Sequence, residues 1–185
     1  LKVMTAVECK APGFFSDKQF DDPDDDGDWG TDTSKFSGDE ISYALGKQGS
    51  TRKKLERASD CIIQYVGPVC VYSGFKKNRK RGKQYMKWLF AQLDGPVHIP
   101  DYKDRDDCTW IDVPQDTVGY ITGSRRAALA QVEAEWGVFM FFANQERGER
   151  RSKETLLIFG SERNRKGAEL KVCSSIETKN PGYLS

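Results

Sequence analysis

Two hydrophobic periods alternate along this chain, and their order predicts its architecture. Between 39 and 45, Ile41, Ala44 and Leu45 fall on one side of a short helix. The tetrapeptide Gly46-Lys47-Gln48-Gly49 interrupts that period. A basic segment follows, through about Ser59, with Leu55 and Ala58 facing inward and Ser50 or Thr51 placed to cap it as a second helix. Cys61–Val66 is a short apolar run that ends at the turn signal Gly67-Pro68, and Val69–Ser73 is its expected hairpin partner. From Lys77 to about Leu93 the spacing of Tyr85, Trp88, Leu89 and Leu93 predicts a long helix with those four side chains as its buried stripe.

The same succession returns further on. Thr109–Val113 reads as a strand that runs into Pro114, and 117–122 as a short helix. Gly123-Ser124-Arg125-Arg126 is then the loop, and Ala127–Trp136 the second helix, stopped by Gly137. Val138–Ala143 and Thr155–Phe159 are hairpin strands separated by the polar stretch Asn144–Glu154. Arg163 to about Glu177 is the last helix, ended near Pro181-Gly182. Shifting the chain by 77 residues lays Ile41 on Val118, Gly46 on Gly123, Leu55 on Val132 and Cys61 on Val138. Beyond the hairpin the shift becomes 86, where Gly74 meets Gly160 and Asn78-Arg79-Lys80 meets Asn164-Arg165-Lys166. One insertion, in Asn144–Glu154, accounts for the difference. A further match joins the two ends: residues 1–16 and 170–185 are identical at eight of sixteen positions. The expectation is therefore a piece of a longer tandem array. The start on Leu1 rather than Met reads as a fragment or a processed form.

This divides the chain into a terminal helix remnant (1–16), an acidic linker (17–34), a first unit (35–93), a second linker (94–107) and a second unit (108–185). A glycine-bounded tetrapeptide between two short helices resembles the GxxG loop of KH domains. The second unit carries the resemblance furthest: Val118-Gly119-Tyr120-Ile121-Thr122-Gly123 followed by Arg126-Ala127-Ala128-Leu129 looks like that family's run into its second helix. The resemblance covers 35–185 and implies an α+β fold of two type I KH units. Each would be a three-stranded antiparallel sheet backed by three helices. It also implies binding of single-stranded RNA, with single-stranded DNA as the lesser expectation.

Charge qualifies this picture. The net charge is +1, but residues 1–35 hold four Lys against nine Asp and Glu, so the remainder is basic. The run Asp21–Asp28 favours a solvated segment. Its spacing does not meet the calcium-loop pattern, and no metal site or cofactor is expected. Five cysteines, none in a CxxC pair, read as reduced thiols, which points to an intracellular reducing compartment: nucleus or cytoplasm, with an organelle left open. No apolar run is long enough to span a bilayer, so membrane insertion is not expected. With one histidine, His98, between Pro96 and Pro100, no catalytic constellation is indicated and the chain is read as non-enzymatic.

Under the resemblance, glycines at both ends of the loop let a phosphodiester approach the backbone N–H groups at the start of the second helix. Lys47 and Gln48 would point to solvent beside it. An apolar groove floor would come from Ala44, Leu45 and Ile63, with Arg52 or Lys53 at the edge. The second unit departs from the pattern, because its loop is Gly123-Ser124-Arg125-Arg126. Arg126 either binds phosphate through its guanidinium or marks a unit kept for packing. Phe139 and Phe141 are read as core or as a base-stacking surface. Lys76–Lys83 is the densest basic run; it is read as an auxiliary phosphate contact, a targeting signal or a solvated helix start. Arg147–Arg151 lies in the variable loop that would clamp the groove's other side. The alternative reading is a scaffold subunit that uses the same folds for protein partners.

Overall fold

The computed structural model of the chain describes residues 2–11, 29–143 and 152–184. The acidic run Asp21–Asp28 and the clamp Arg147–Arg151 lie outside the described residues. The chain divides into two compact units, Leu1–Phe90 and Ala91–Ser185. Each is an α+β unit with its own three-stranded antiparallel sheet.

In the first unit, α1 (Lys2–Lys10) precedes β1 (Trp29–Lys35), α2 (Gly38–Leu45), α3 (Ser50–Ser59), β2 (Ile62–Val66), β3 (Val69–Phe75) and α4 (Lys76–Asp94), whose residues from Ala91 on belong to the second unit, with a single 3-10 turn, Lys47–Gly49, between α2 and α3. The sheet order is β1-β3-β2, so β3 is central. α2 starts on a capping box: Ser37 Oγ accepts from the Glu40 N–H at 3.3 Å, and Glu40 Oε2 accepts from the Ser37 N–H at 2.8 Å. β2 and β3 are joined by Gly67-Pro68 alone, with Val66 opposite Val69.

β1 corrects the expected linker. Residues 29–34 pair with β3 from Trp29 opposite Phe75 to Lys35 opposite Val69. Their sequence, Trp-Gly-Thr-Asp-Thr-Ser, has no apolar alternation because β1 is an edge strand that buries little. It is fastened by polar contacts: Thr31 and Ser73 hydroxyls lie 3.0 Å apart, and Asp32 faces Lys83 at 2.9 Å and Arg79 at 3.4 Å. The basic run at the start of α4 is thus partly structural. Arg79 is 3% exposed and donates to the Gly74 carbonyl at 2.7 Å. Within α4, Tyr85, Trp88 and Leu89 are buried as expected from the spacing, but Leu93 in the last turn is 58% exposed.

The second unit repeats the plan. β4 (Cys108–Pro114), α5 (Gln115–Thr122), a 3-10 turn at Ser124–Arg126, α6 (Ala127–Trp136), β5 (Phe139–Ala143), β6 (Lys153–Phe159) and α7 (Glu162–Lys179) follow in order, with sheet order β4-β6-β5. Ile111, Val113, Ile121, Leu129, Val138, Met140, Leu156, Ile158, Ala168, Val172 and Ile176 form one buried cluster between sheet and helices. Alternation along β5 puts Phe139 and Phe141 on the opposite face. They are 0% and 3% exposed, and Phe141 stacks on Phe159 with centroids 5.6 Å apart. Burial makes Phe139 a core side chain, whereas Phe141, nearly as buried, also borders a cavity.

The expected linker at 94–107 is largely built into this unit. Val97 and Ile99 are buried, and Tyr102–Asp104 is a 3-10 turn. Asp107, 1% exposed, takes a two-pronged bond from Arg105, both distances 2.8 Å. Arg165, the repeat counterpart of Arg79, is again buried; it donates to the Asp106 carbonyl at 2.7 Å and to Thr109 Oγ1 at 3.1 Å.

All five cysteines are free. Burial pushes the thiols of Cys61, Cys70 and Cys108 up to about 12, so they stay protonated near neutral pH. Cys9 is exposed. Alkylation of the native chain near neutral pH is therefore expected to label Cys9 and to spare those three until denaturant is added. Peptide mass mapping checks this, and early modification of Cys61, Cys70 or Cys108 would contradict it.

Candidate nucleic-acid interface

The loop between α2 and α3 is built the same way as the loop between α5 and α6. Gly46 ends α2 at φ 69°, ψ 175°, and Gly123 ends α5 at φ 70°, ψ 174°. A Cβ on Gly46 would stand 2.9 Å from the Thr51 backbone nitrogen, and one on Gly123 would stand 2.9 Å from the Ala128 nitrogen. Both dihedral and space demand glycine. The next positive φ values fall on Gln48 (55°) and Arg125 (50°), then on Gly49 (75°) and Arg126 (62°). The turn closes with Gly49 N–H donating to the Gly46 carbonyl at 3.1 Å and Arg126 N–H to the Gly123 carbonyl at 3.3 Å.

The last loop position differs from the first in one respect. A Cβ on Gly49 would meet nothing nearer than Arg52 Nε at 3.9 Å. Only the backbone dihedral penalises a side chain there, by about 1–2 kcal/mol. This is why the second unit can carry Arg126 at that point while keeping the loop's shape.

The helix that follows has no side-chain cap in either unit: Gly49 is the N-cap of α3 and Arg126 that of α6. The expected cap at Ser50 or Thr51 is absent, because the loop's left-handed turn places Gly49 at the cap position. The Ser50 N–H turns back to the Lys47 carbonyl, and the start of α3 stands beside the loop, at the positive end of the helix dipole.

Next to them lies a cavity of about 590 Å³, lined by Ile41, Leu45, Gly46, Gln48, Gly49, Arg52, Lys53, Gln64 and Tyr65. Its volume suits a ligand site. Of the sequence-predicted residues, Leu45, Gly46, Gln48, Gly49, Arg52 and Lys53 line it, and Lys47 is exposed at the rim without lining it. Ala44 and Ile63 are both 0% exposed, so neither is a groove floor. The helical period turns Ala44 inward, and strand alternation turns Ile63 inward and brings Gln64 to the cavity. Gln64 and Tyr65 are residues that reading of the sequence missed; alternation along β2 was the signal for Gln64 but not for Tyr65, which shares the side of Ile63. Burial pushes the Tyr65 phenol up, so this wall is an uncharged ring.

β2 is an edge strand, and one residue of it is held by side chains from α3. Glu56 Oε1 accepts from the Ile63 N–H at 2.9 Å. Arg52 Nη1 donates to the Ile63 carbonyl at 3.0 Å and to Glu56 Oε2 at 2.6 Å. The second unit has the same clamp with one part exchanged. Glu133 Oε1 accepts from the Met140 N–H at 2.8 Å, and the guanidinium on the Met140 carbonyl belongs to Arg126, with Nη2 at 2.8 Å. Arg126 Nη2 stands 3.8 Å from Glu133 Oε1. The helix position that matches Arg52 is Leu129, 1% exposed.

The second cavity, about 340 Å³, is lined by Thr122, Arg126, Leu129, Phe141 and Phe142, and also by Gln92, Gly95, Pro96 and Val97. The five matched positions, 45, 49, 52, 64 and 65, line the first cavity as well. Gly123, Ser124 and Arg125 sit at the loop but do not line this cavity. Among the described residues, no cluster of His, Cys, Asp and Glu is placed to hold a metal ion. No helix among them is long and apolar enough to cross a membrane.

No protein-family model and no curated protein matches the chain. Among solved structures, a chain of the a/eIF2alpha–aDim2p–rRNA complex from Pyrococcus horikoshii is 13% identical, covering 85% of this chain and 91% of that one, at a TM-score of 0.33. Dim2p from Pyrococcus horikoshii is 14% identical, over 82% and 93% of the two chains, at 0.31. A protein of unknown function from Aeropyrum pernix is 12% identical, over 80% and 83%, at 0.31.

The loop geometry ranks its two glycines. Gly49→Ala is expected to cost about 1–2 kcal/mol from the dihedral alone. Gly46→Ala adds a collision with the backbone of α3 and is expected to cost clearly more. Equilibrium urea unfolding of the two variants tests the order, and equal losses would contradict it.

Proposed function

We propose that the chain is a single-stranded RNA-binding protein of two type I KH units, acting in RNA metabolism or post-transcriptional regulation. The observation that carries this reading is the first unit's cavity, where Arg52 and Lys53, from the first turn of a helix without a side-chain cap, and Gly46, Gln48 and Gly49 of the loop meet around one space. Phosphates dock on the start of α3, where backbone donors and the helix dipole favour an anion. About four unpaired nucleotides suit a groove of this kind. Leu45, Ile41 and the Tyr65 ring offer apolar surface to the bases, and the Gln64 amide and Arg52 guanidinium offer donors to their edges. Single-stranded DNA is the poorer ligand. Two units on one chain raise affinity through effective concentration.

A specific surface favours a second reading, contacts with a protein partner. Trp29, Ile62 and Phe75 are 57%, 45% and 48% exposed, and strand pairing puts them on one face of the first sheet. Trp29 and Phe75 meet edge to face at 5.2 Å. Exposed apolar side chains grouped in this way mark interaction surfaces.

The two readings separate in one titration. Binding to a random-sequence single-stranded RNA pool is measured at several salt concentrations, for the native chain and for K47D/Q48D. The RNA reading expects salt-dependent binding, because docking cations on phosphates releases counterions. It expects K47D/Q48D to weaken that binding at least about tenfold. Unchanged binding in the variant would remove the groove assignment, and no binding by the native chain would leave the protein-contact reading.

A further inference from the structure

The basic residues of α4 sort onto different sides of the helix. Arg79 is buried with Gly82, Tyr85, Met86 and Leu89. Lys76, Lys80, Lys83 and Lys87 recur at intervals of four, three and four residues, which sets them in one row along the side away from that core. At a rise of about 1.5 Å per residue the row is about 16 Å long. Lys76, Lys80 and Lys87 are exposed, and Lys83 meets Asp32 at 2.9 Å. None of the four lines the cavity beside either loop.

We propose that this lysine row is a contact surface separate from the groove, and that it takes the phosphate backbone of a base-paired RNA stem. That the polyanion is RNA rests on the reading of the first groove. The fold itself has no need of the charge. α7 is the matching helix of the second unit, and the row's positions there hold Glu162, Lys166, Glu169 and Cys173. Glu162 lies in the first turn, where it suits the helix dipole, and Lys166 pairs with Glu169 at 2.8 Å. α4 has no acidic residue in its first turn and begins on Lys76 and Lys77. Cations at the positive end of a helix disfavour it, and so do like charges three and four residues apart. One unit balances this face, and the other keeps four lysines on it against its own stability. That is the mark of charge held for a partner.

The shape of the row selects the ligand. Lysine offers a compact charge on a flexible stem and no planar fork, so it holds phosphate without reading a base edge. A row on the outside of a helix encloses nothing. The rings of α4 are occupied: Tyr85 and Trp88 are buried, and Phe90 packs on Phe36 with centroids 5.0 Å apart. The helix thus gives unpaired bases no ring on which to stack. A stem keeps its bases stacked inside and its phosphates outside, and paired RNA is held by shape and backbone contacts of this kind.

The test titrates the full chain with a blunt-ended RNA duplex at several salt concentrations, read by fluorescence anisotropy, with a short unpaired RNA as the second probe. K76Q/K80Q/K87Q removes three cations and leaves Lys83 on Asp32. It is expected to weaken duplex binding about tenfold and to lower the slope of log affinity against log salt by about 2 to 3. K47D/Q48D is expected to weaken the unpaired RNA more than the duplex. Three cations removed from exposed positions of α7, as R163Q/K171Q/K179Q, are expected to change duplex binding little. The urea midpoint of K76Q/K80Q/K87Q is expected not to fall, because the lysines disfavour the helix they stand on. A native chain that does not bind the duplex overturns the proposal, as does unchanged duplex binding in K76Q/K80Q/K87Q. So does an equal loss in the α7 variant, or a midpoint that falls with the three lysines. Failure of the groove reading shows separately, as unpaired RNA that the native chain leaves unbound or that K47D/Q48D binds equally well.

Discussion

In each unit a glutamate on the second helix holds one residue of the sheet's outer strand by its N–H, and an arginine takes the same residue's carbonyl. Glu56 and Arg52 do this to Ile63, and Glu133 and Arg126 to Met140. Edge strands leave such backbone groups unpaired, and an unpaired edge invites association with another chain. The clamp answers that constraint and also fixes where the two short helices, and hence the loop between them, stand relative to the sheet. Because charged partners strengthen these bonds, the join is firm at the place where the groove opens. The cavity follows from it: the loop supplies one rim, the outer strand the other, and the clamp's guanidinium lies between them.

The clamp also accounts for the freedom and the rigidity of the loop. The first glycine lies against the backbone of the next helix, so it is the same in both units. At the last one a Cβ would meet only Arg52 Nε, at 3.9 Å, and its one requirement is the left-handed dihedral. A chain that needs a guanidinium on the strand carbonyl can take it from the helix or from the loop. It takes it from the helix in one unit and from the loop in the other, and the complementary position becomes Gly49 or Leu129 accordingly.

Much of the architecture was legible in the residues. The helical and two-residue periods marked the hairpins and helices, and the internal repeat fixed their correspondence, because both units solve the same packing problem with side chains of similar kind. Three features were not legible. β1 has no apolar alternation, since Thr31 and Asp32 hold an edge strand by a hydrogen bond and ion pairs rather than by burial. The segment 94–107 reads as a linker by its prolines and charges, yet Val97, Ile99 and Asp107 are buried, with Arg105 satisfying the buried carboxylate. Of the groove, the loop and the start of α3 were legible, but the floor was not: Ala44 and Ile63 have the right polarity, yet both are fully buried, and Gln64 and Tyr65 line the cavity instead. The i,i+4 spacing of Arg52 and Glu56 was present in the sequence. Its meaning lay in a long-range contact to Ile63 that no local pattern announces.

The central claim is that the ligand lies between the loop and the outer strand. The most direct measurement is amide chemical-shift mapping by NMR as a short single-stranded RNA is titrated into the chain. The account predicts that the largest shifts fall on Gly46, Gly49, Thr51, Arg52, Lys53, Gln64 and Tyr65, with a weaker set on Arg126, Leu129 and Phe142. Shifts confined to the basic start of α4, Lys76–Lys83, with Gly46–Lys53 unmoved, would contradict it.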